Sequence, residues 1–199
     1  MAKTIETIII KACENGDIQT LRGLISTKIN IGSKSRAKGF ETIFERALVK
    51  GISAKRNSKE VIEIICLLAK DKLNDLLKEE LIIKIANMYK FYVLDIFIEN
   101  GWSLGNSISD DNYRTFYDKL FRQSLACARV EILEYLMPKM NIKWLNLNKI
   151  VPFLVNNEEM VTIVESRLKS RNNDFICIYA TLSQHGLSPK DIEKILANA

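Results

Sequence analysis

A short phrase recurs along this chain and limits what it can fold into. A polar residue is followed by two apolar residues, one polar residue and then two or three more apolar ones. It reads Gln19-Thr-Leu-Arg-Gly-Leu-Ile25, Glu60-Val-Ile-Glu-Ile-Ile-Cys66, Tyr92-Val-Leu-Asp-Ile-Phe-Ile98, Glu131-Ile-Leu-Glu-Tyr-Leu-Met137 and Glu159-Met-Val-Thr-Ile-Val164. The first members of the apolar pairs, Thr20, Val61, Val93, Ile132 and Met160, lie 41, 32, 39 and 28 residues apart, a mean of 35. Apolar residues at this spacing line one face of an α-helix rather than alternate as in a strand. A helix of seven or eight residues is not stable alone. Each copy follows a second short apolar segment, at about Ile5–Asn15, Thr42–Lys50, Glu79–Met88, Tyr117–Ala126 and Lys149–Asn156. Two helices and a connector per period describe a helix-pair solenoid, in which every unit buries its apolar face on its neighbours.

Two fragments carry a family likeness. Ala12-Cys-Glu-Asn-Gly16-Asp and Tyr89-Lys-Phe-Tyr-Val-Leu-Asp-Ile-Phe-Ile-Glu-Asn-Gly101 resemble the inner-helix end and the second helix of the ankyrin repeat, whose period is about 33 residues. The resemblance covers residues 5 to 168. It implies an all-α fold: a solenoid of about five ankyrin-like helix pairs plus a C-terminal capping helix. The repeats fall at about 5–38, 39–76, 77–114, 115–146 and 147–172, with the cap at 173–199, forming a single repeat domain. Small residues such as Ala12 and Ala47 suit close helix packing, and Gly16, Gly51 and Gly101 are expected to supply backbone angles that a side chain resists. The family's Thr-Pro-Leu-His opening is missing; Thr7 and Thr42 are read as its remnants. Pro152 falls inside an inner helix, and extra residues at Ile52–Arg56 lengthen one turn. In the cap, Ser188, Pro189 and Asp191 open a helix with Ile192, Ile195 and Leu196 on one face.

Residues that carry chemistry are scarce. His185 is the one histidine, set before Gly186 in an expected turn, which removes most acid–base and metal designs. No phosphate-cradling glycine loop, nucleophile elbow or His-Glu-x-x-His occurs. Cys13, Cys66, Cys127 and Cys177 lie 50 or more residues apart, so small buried free thiols in a reducing compartment are expected, with no disulfide and no metal. Glu79-Glu80, Asp110-Asp111 and Glu158-Glu159 sit at helix starts or in loops, where carboxylates favour the helix dipole. No cofactor is expected, and the chain reads as a non-catalytic protein. No apolar run approaches the roughly 20 residues of a membrane helix, and a cytoplasmic monomer is the expectation.

Charge is the uneven feature. Lys28, Lys34, Arg36, Lys38, Arg46, Lys50, Lys55, Arg56 and Lys59 face only Glu41 and Glu45, so this stretch carries +7 in a chain whose total is +5. In ankyrin-like proteins the inter-repeat loops project as fingers beside a groove where partners bind. The resemblance therefore places Lys34, Arg36 and Lys38 on a first finger, with Lys55 and Arg56 nearby, facing a protein partner with an acidic surface. Trp102 and Trp144 complete the candidate contact set, since tryptophan is enriched at binding hot spots. Nucleic acid is the weaker reading of segment 28–59, because it lacks the interleaved aromatics of single-strand binders. An immunity or antitoxin-like inhibitor is a further alternative. The Lys-, Ile- and Asn-rich composition fits an AT-rich genome, as in a large DNA virus or intracellular bacterium, where such a protein would bind or sequester a host protein.

Overall fold

A computed structural model describes residues 4–27, 29–127, 129–139 and 141–146, with Lys149. The chain divides into two compact units, Met1–Ser103 and Leu104–Ala199. The boundary falls inside the stretch expected as the third repeat.

The first unit is built from three helix pairs. Helix α1 (Ile5–Asn15) opens where the Thr4 hydroxyl accepts the Thr7 N–H, and closes at Gly16, whose φ of 65° lets its N–H turn back to the Ala12 and Cys13 carbonyls. After this two-residue turn α2 (Ile18–Ile25) starts, capped by the Asp17 carboxylate on the Thr20 N–H. Helix α3 (Ile43–Ile52) is capped by Thr42 on the Glu45 N–H, and α4 (Ser58–Ala69) follows. A 3-10 turn at Lys70–Lys72 and the four-residue α5 (Leu73–Leu76) lead to α6 (Glu79–Asn87) and α7 (Phe91–Glu99). The first members of the first two pairs pack together (α1 on α3), as do the second members (α2 on α4); α7 continues the second row on α4. Ile9, Cys13, Leu21, Phe44, Ala47 and Ile62, on these helices, are fully buried and belong to the core.

In the second unit α8 (Phe116–Ala126) pairs with α9 (Val130–Leu136), and 3-10 turns follow at Met137–Lys139 and Ile142–Trp144. Tyr117 ties together the described residues of this unit. Its buried ring stacks on Phe121 at 5.9 Å, tilts against Trp144 at 5.8 Å, and its hydroxyl donates to the Leu136 carbonyl at 3.1 Å. Thr115 precedes α8, accepting the Asp118 N–H at 3.2 Å and donating to the Trp144 carbonyl at 2.8 Å. Asp118 is buried, which holds its carboxyl above the ordinary range although it accepts the Arg114 N–H at 2.8 Å.

The helices agree with the periodicity: α1 has the expected bounds, and the other described helices of each pair lie within a few residues of theirs. All regular elements among the described residues are helical, apart from one isolated bridge between Lys34 and Thr42. Three expectations change. Gly51 does not close a helix with a special backbone angle; it lies inside α3, where an added Cβ would come within 2.8 Å of Val61 Cγ1 and 2.9 Å of Ile62 Cδ1. It serves close packing instead. The threonine that opens α1 is Thr4 rather than Thr7, and Thr115 plays the same part for α8. Cys13 and Cys66 are buried free thiols, but Cys127 is exposed, one residue beyond the end of α8. The expected fifth pair, Pro152, His185, Cys177 and the capping helix lie outside the described residues.

Candidate functional site

Residues 29–42, in the loop joining α2 to α3, form a finger. Its two limbs are tied by the Lys34–Thr42 bridge and by three backbone hydrogen bonds. Ser35 N–H donates to the Glu41 carbonyl at 3.1 Å, Ile43 N–H to Ser33 at 2.9 Å and Phe44 N–H to Ile31 at 2.8 Å. Ile31 and Phe44 anchor its base in the core. Gly39, with φ 84°, sits in the turn that brings the chain back.

One buried carboxylate fixes the finger to the helices. Glu6 on α1 is only 6% exposed. Its Oε1 accepts from the Ser35 hydroxyl at 2.7 Å, the Arg36 N–H at 3.2 Å and Arg46 Nη1 of α3 at 3.0 Å; Oε2 accepts the Arg36 N–H as well, at 3.2 Å. Burial alone would raise the Glu6 carboxyl. The donors from Ser35, Arg36 and Arg46 outweigh it and hold the group below its ordinary value of 4.5. With Ser35 turned inward, Lys34, Arg36 and Lys38 are all exposed, and none forms an ion pair among the described residues.

The rest of the basic stretch is dispersed. Arg46 is bound to Glu6, Lys50 to Glu14 at 2.7 Å, and Lys59 approaches Glu63 at 4.0 Å. The Lys50 hydrogen bond holds the Glu14 carboxyl below its ordinary range. Lys55 and Arg56 belong to the long α3–α4 turn, which lies against the far end of α1. There Lys55 N–H donates to the Glu14 carbonyl at 3.1 Å, and Arg56 Nε to the Asn15 carbonyl at 3.2 Å. Asn57 Nδ2 donates to Gly16 O at 3.2 Å, and a Cβ on Gly16 would collide with the Arg56 carbonyl. Glu6 and Glu14 are about 12 Å apart along α1, at 1.5 Å of rise per residue. The structure thus keeps Lys34, Arg36 and Lys38 together and sets Lys55 and Arg56 apart from them.

The two tryptophans are packing residues. Trp102, expected at a contact surface, is 2% exposed, with its ring edge-on to Phe97 at 6.3 Å. Trp144 is half-buried against Tyr117 and closes over Gly105, where any side chain would run into the indole. Sequence reasoning missed Glu6. Its signal was legible, because Glu6 shares a helical face with Ile9, Ile10 and Cys13, where a charge needs a partner.

Among the described residues no group of three or more His, Cys, Asp or Glu side chains could hold a metal ion, and no helix is long and apolar enough to cross a membrane. The chain matches no protein-family model, and neither the curated proteins nor the solved structures contain a match to it.

Proposed function

We propose that this chain is a non-catalytic, ankyrin-like helical-repeat protein that binds another protein, meeting an acidic surface with Lys34, Arg36 and Lys38 on its first finger. The observation that carries this reading is the Glu6 anchor. A loop that merely connected α2 to α3 would need no buried carboxylate gripping it from inside while its three cations point to solvent. Such a finger is ordered before any partner arrives, so binding costs less conformational entropy. The three charges are not needed for the fold, since exposed pairs contribute only about 0–1 kcal/mol and these have none. The Lys-, Ile- and Asn-rich composition favours a viral or bacterial setting in which the partner is a host protein that is bound or sequestered.

The test starts with a pull-down from host lysate and mass spectrometry to identify the partner. Reversing Lys34, Arg36 and Lys38 together to Glu is then expected to leave the melting temperature nearly unchanged and to weaken binding. The loss should fall mainly on the association rate and shrink as salt rises, since the Debye length is about 8 Å at physiological ionic strength. Binding that survives the triple reversal intact would exclude the finger. Tight duplex binding whose logarithm falls linearly with log salt, irrespective of sequence, would replace the protein partner by nucleic acid.

A further inference from the structure

Among the described residues, the second-row helices of the first unit keep one face open. Between α2 and α4 runs an open groove of about 490 Å³, with Arg22 and Ile25 on the α2 wall and Glu60, Glu63, Ile64 and Leu67 on the α4 wall. Ile64 is buried at its floor, whereas Ile25 is 45% exposed and Leu67 52% exposed on the two ridges. Large aliphatic side chains this open, on facing ridges of one groove, keep apolar area in water that a covering partner would remove.

The pattern of the walls says what covers them. We propose that a second copy of this chain docks here, about a two-fold axis running along the groove. Such an axis exchanges the two walls, so that α2 of one protomer lies over α4 of its partner. Arg22 then faces Glu60 and Glu63 of the partner subunit, and the same contact is made again with the roles reversed. The exposed ridges pair in the same way, Ile25 of each protomer lying over Leu67 of the partner subunit. One wall is cationic and the other anionic, and each carries one exposed aliphatic residue, so the face is complementary to itself. A two-fold axis across the groove would instead lay α2 over α2 and α4 over α4, which sets the cationic wall on the cationic wall and the anionic on the anionic, and is disfavoured. The carboxylates are available for this exchange. Glu60 forms no ion pair among the described residues, and the 4.0 Å approach of Lys59 to Glu63 joins two well-exposed groups. A two-helix face is smaller than the interface of an obligate dimer, so the association is reversible and depends on concentration. The sequence alone leads to the expectation of a monomer; the groove points the other way.

Sedimentation velocity on the full chain, across a wide concentration range, tests this. The mean mass of the wild type should climb from that of the monomer towards twice that value. Leu67→Glu should hold it at the monomer, with an unchanged circular dichroism spectrum and melting temperature, because the side chain is already in solvent. Arg22→Glu should weaken association by roughly tenfold or more, since each substitution acts twice in a two-fold dimer. Combining it with Glu60→Arg and Glu63→Arg should restore the dimer, which a merely structural role for Arg22 would not do. A wild type that stays monomeric throughout, a dimer that survives Leu67→Glu, or a charge swap that fails to rescue would each overturn the proposal. None of these outcomes bears on the finger, which lies outside the groove.

Discussion

Removing the Glu6 carboxylate should release the finger from the helices, and the size of the effect follows from its partners. In Glu6→Ala the Arg36 N–H and the Ser35 hydroxyl each lose a charged acceptor in a shielded site. A buried donor left unsatisfied costs about 1–3 kcal/mol. Arg46 loses its ion pair too, but its side chain is 27% exposed and can turn to water, so its share is nearer the 0–1 kcal/mol of a surface pair. The total is about 2–7 kcal/mol, a large part of a net stability of about 5–15 kcal/mol. Glu6→Gln keeps one acceptor oxygen without the charge and should cost roughly half as much. Urea denaturation measures the loss if the unit unfolds as a whole. If the finger alone comes away, hydrogen exchange at the Ser35, Ile43 and Phe44 amides measures it. The pH dependence has a definite sign. The folded-state carboxyl lies below its ordinary value of 4.5, so its contribution is complete above that value and fades as pH falls through the lower folded one. The wild type should therefore lose more stability on acidification than Glu6→Gln does. A Glu6→Ala protein with unchanged urea midpoint and unchanged exchange at those amides would refute the account of the anchor.

Two glycine substitutions of the same kind should act in opposite directions. Gly23→Ala, in α2 with nothing within 4 Å of the new Cβ, should stabilise by about 0.4–1 kcal/mol. Gly51→Ala, in α3 against Val61 and Ile62, should destabilise by about 1–3 kcal/mol; paired urea curves decide both. Thr115→Ala should cost about 0.5–2 kcal/mol through the lost α8 cap, read as a lower melting temperature. Among the described thiols Cys127 should react quickly with a water-soluble disulfide reagent. Cys13 and Cys66, buried and pushed up to about 12, should react only on unfolding, as followed by mass spectrometry of the labelled peptides.

What the sequence made legible was whatever depends on neighbours along the chain. Apolar spacing located the helix pairs because the 3.6-residue period is a local property, and Thr42, read as the remnant of a helix opening, caps α3 for the same reason. Helix α5 escaped because four residues carry no period; only Leu73 within it, and Leu77 just after it, are buried. Gly51 was misjudged because its reason lies in α4, ten or more residues away, not in its own turn. The finger shows the same division. Its basic residues were visible as composition, but +7 over one stretch says nothing of which charges are free. The fold resolves that through contacts 29 to 40 residues apart in sequence: Glu6 takes Arg46 and grips Ser35 and Arg36, and Glu14 takes Lys50. On the finger itself, the Lys34, Arg36 and Lys38 side chains are left without a carboxylate among the described residues. An isolated Glu in an otherwise apolar helical stripe is therefore the residue to trace first in such a chain, because its partners decide which part of the surface is held still.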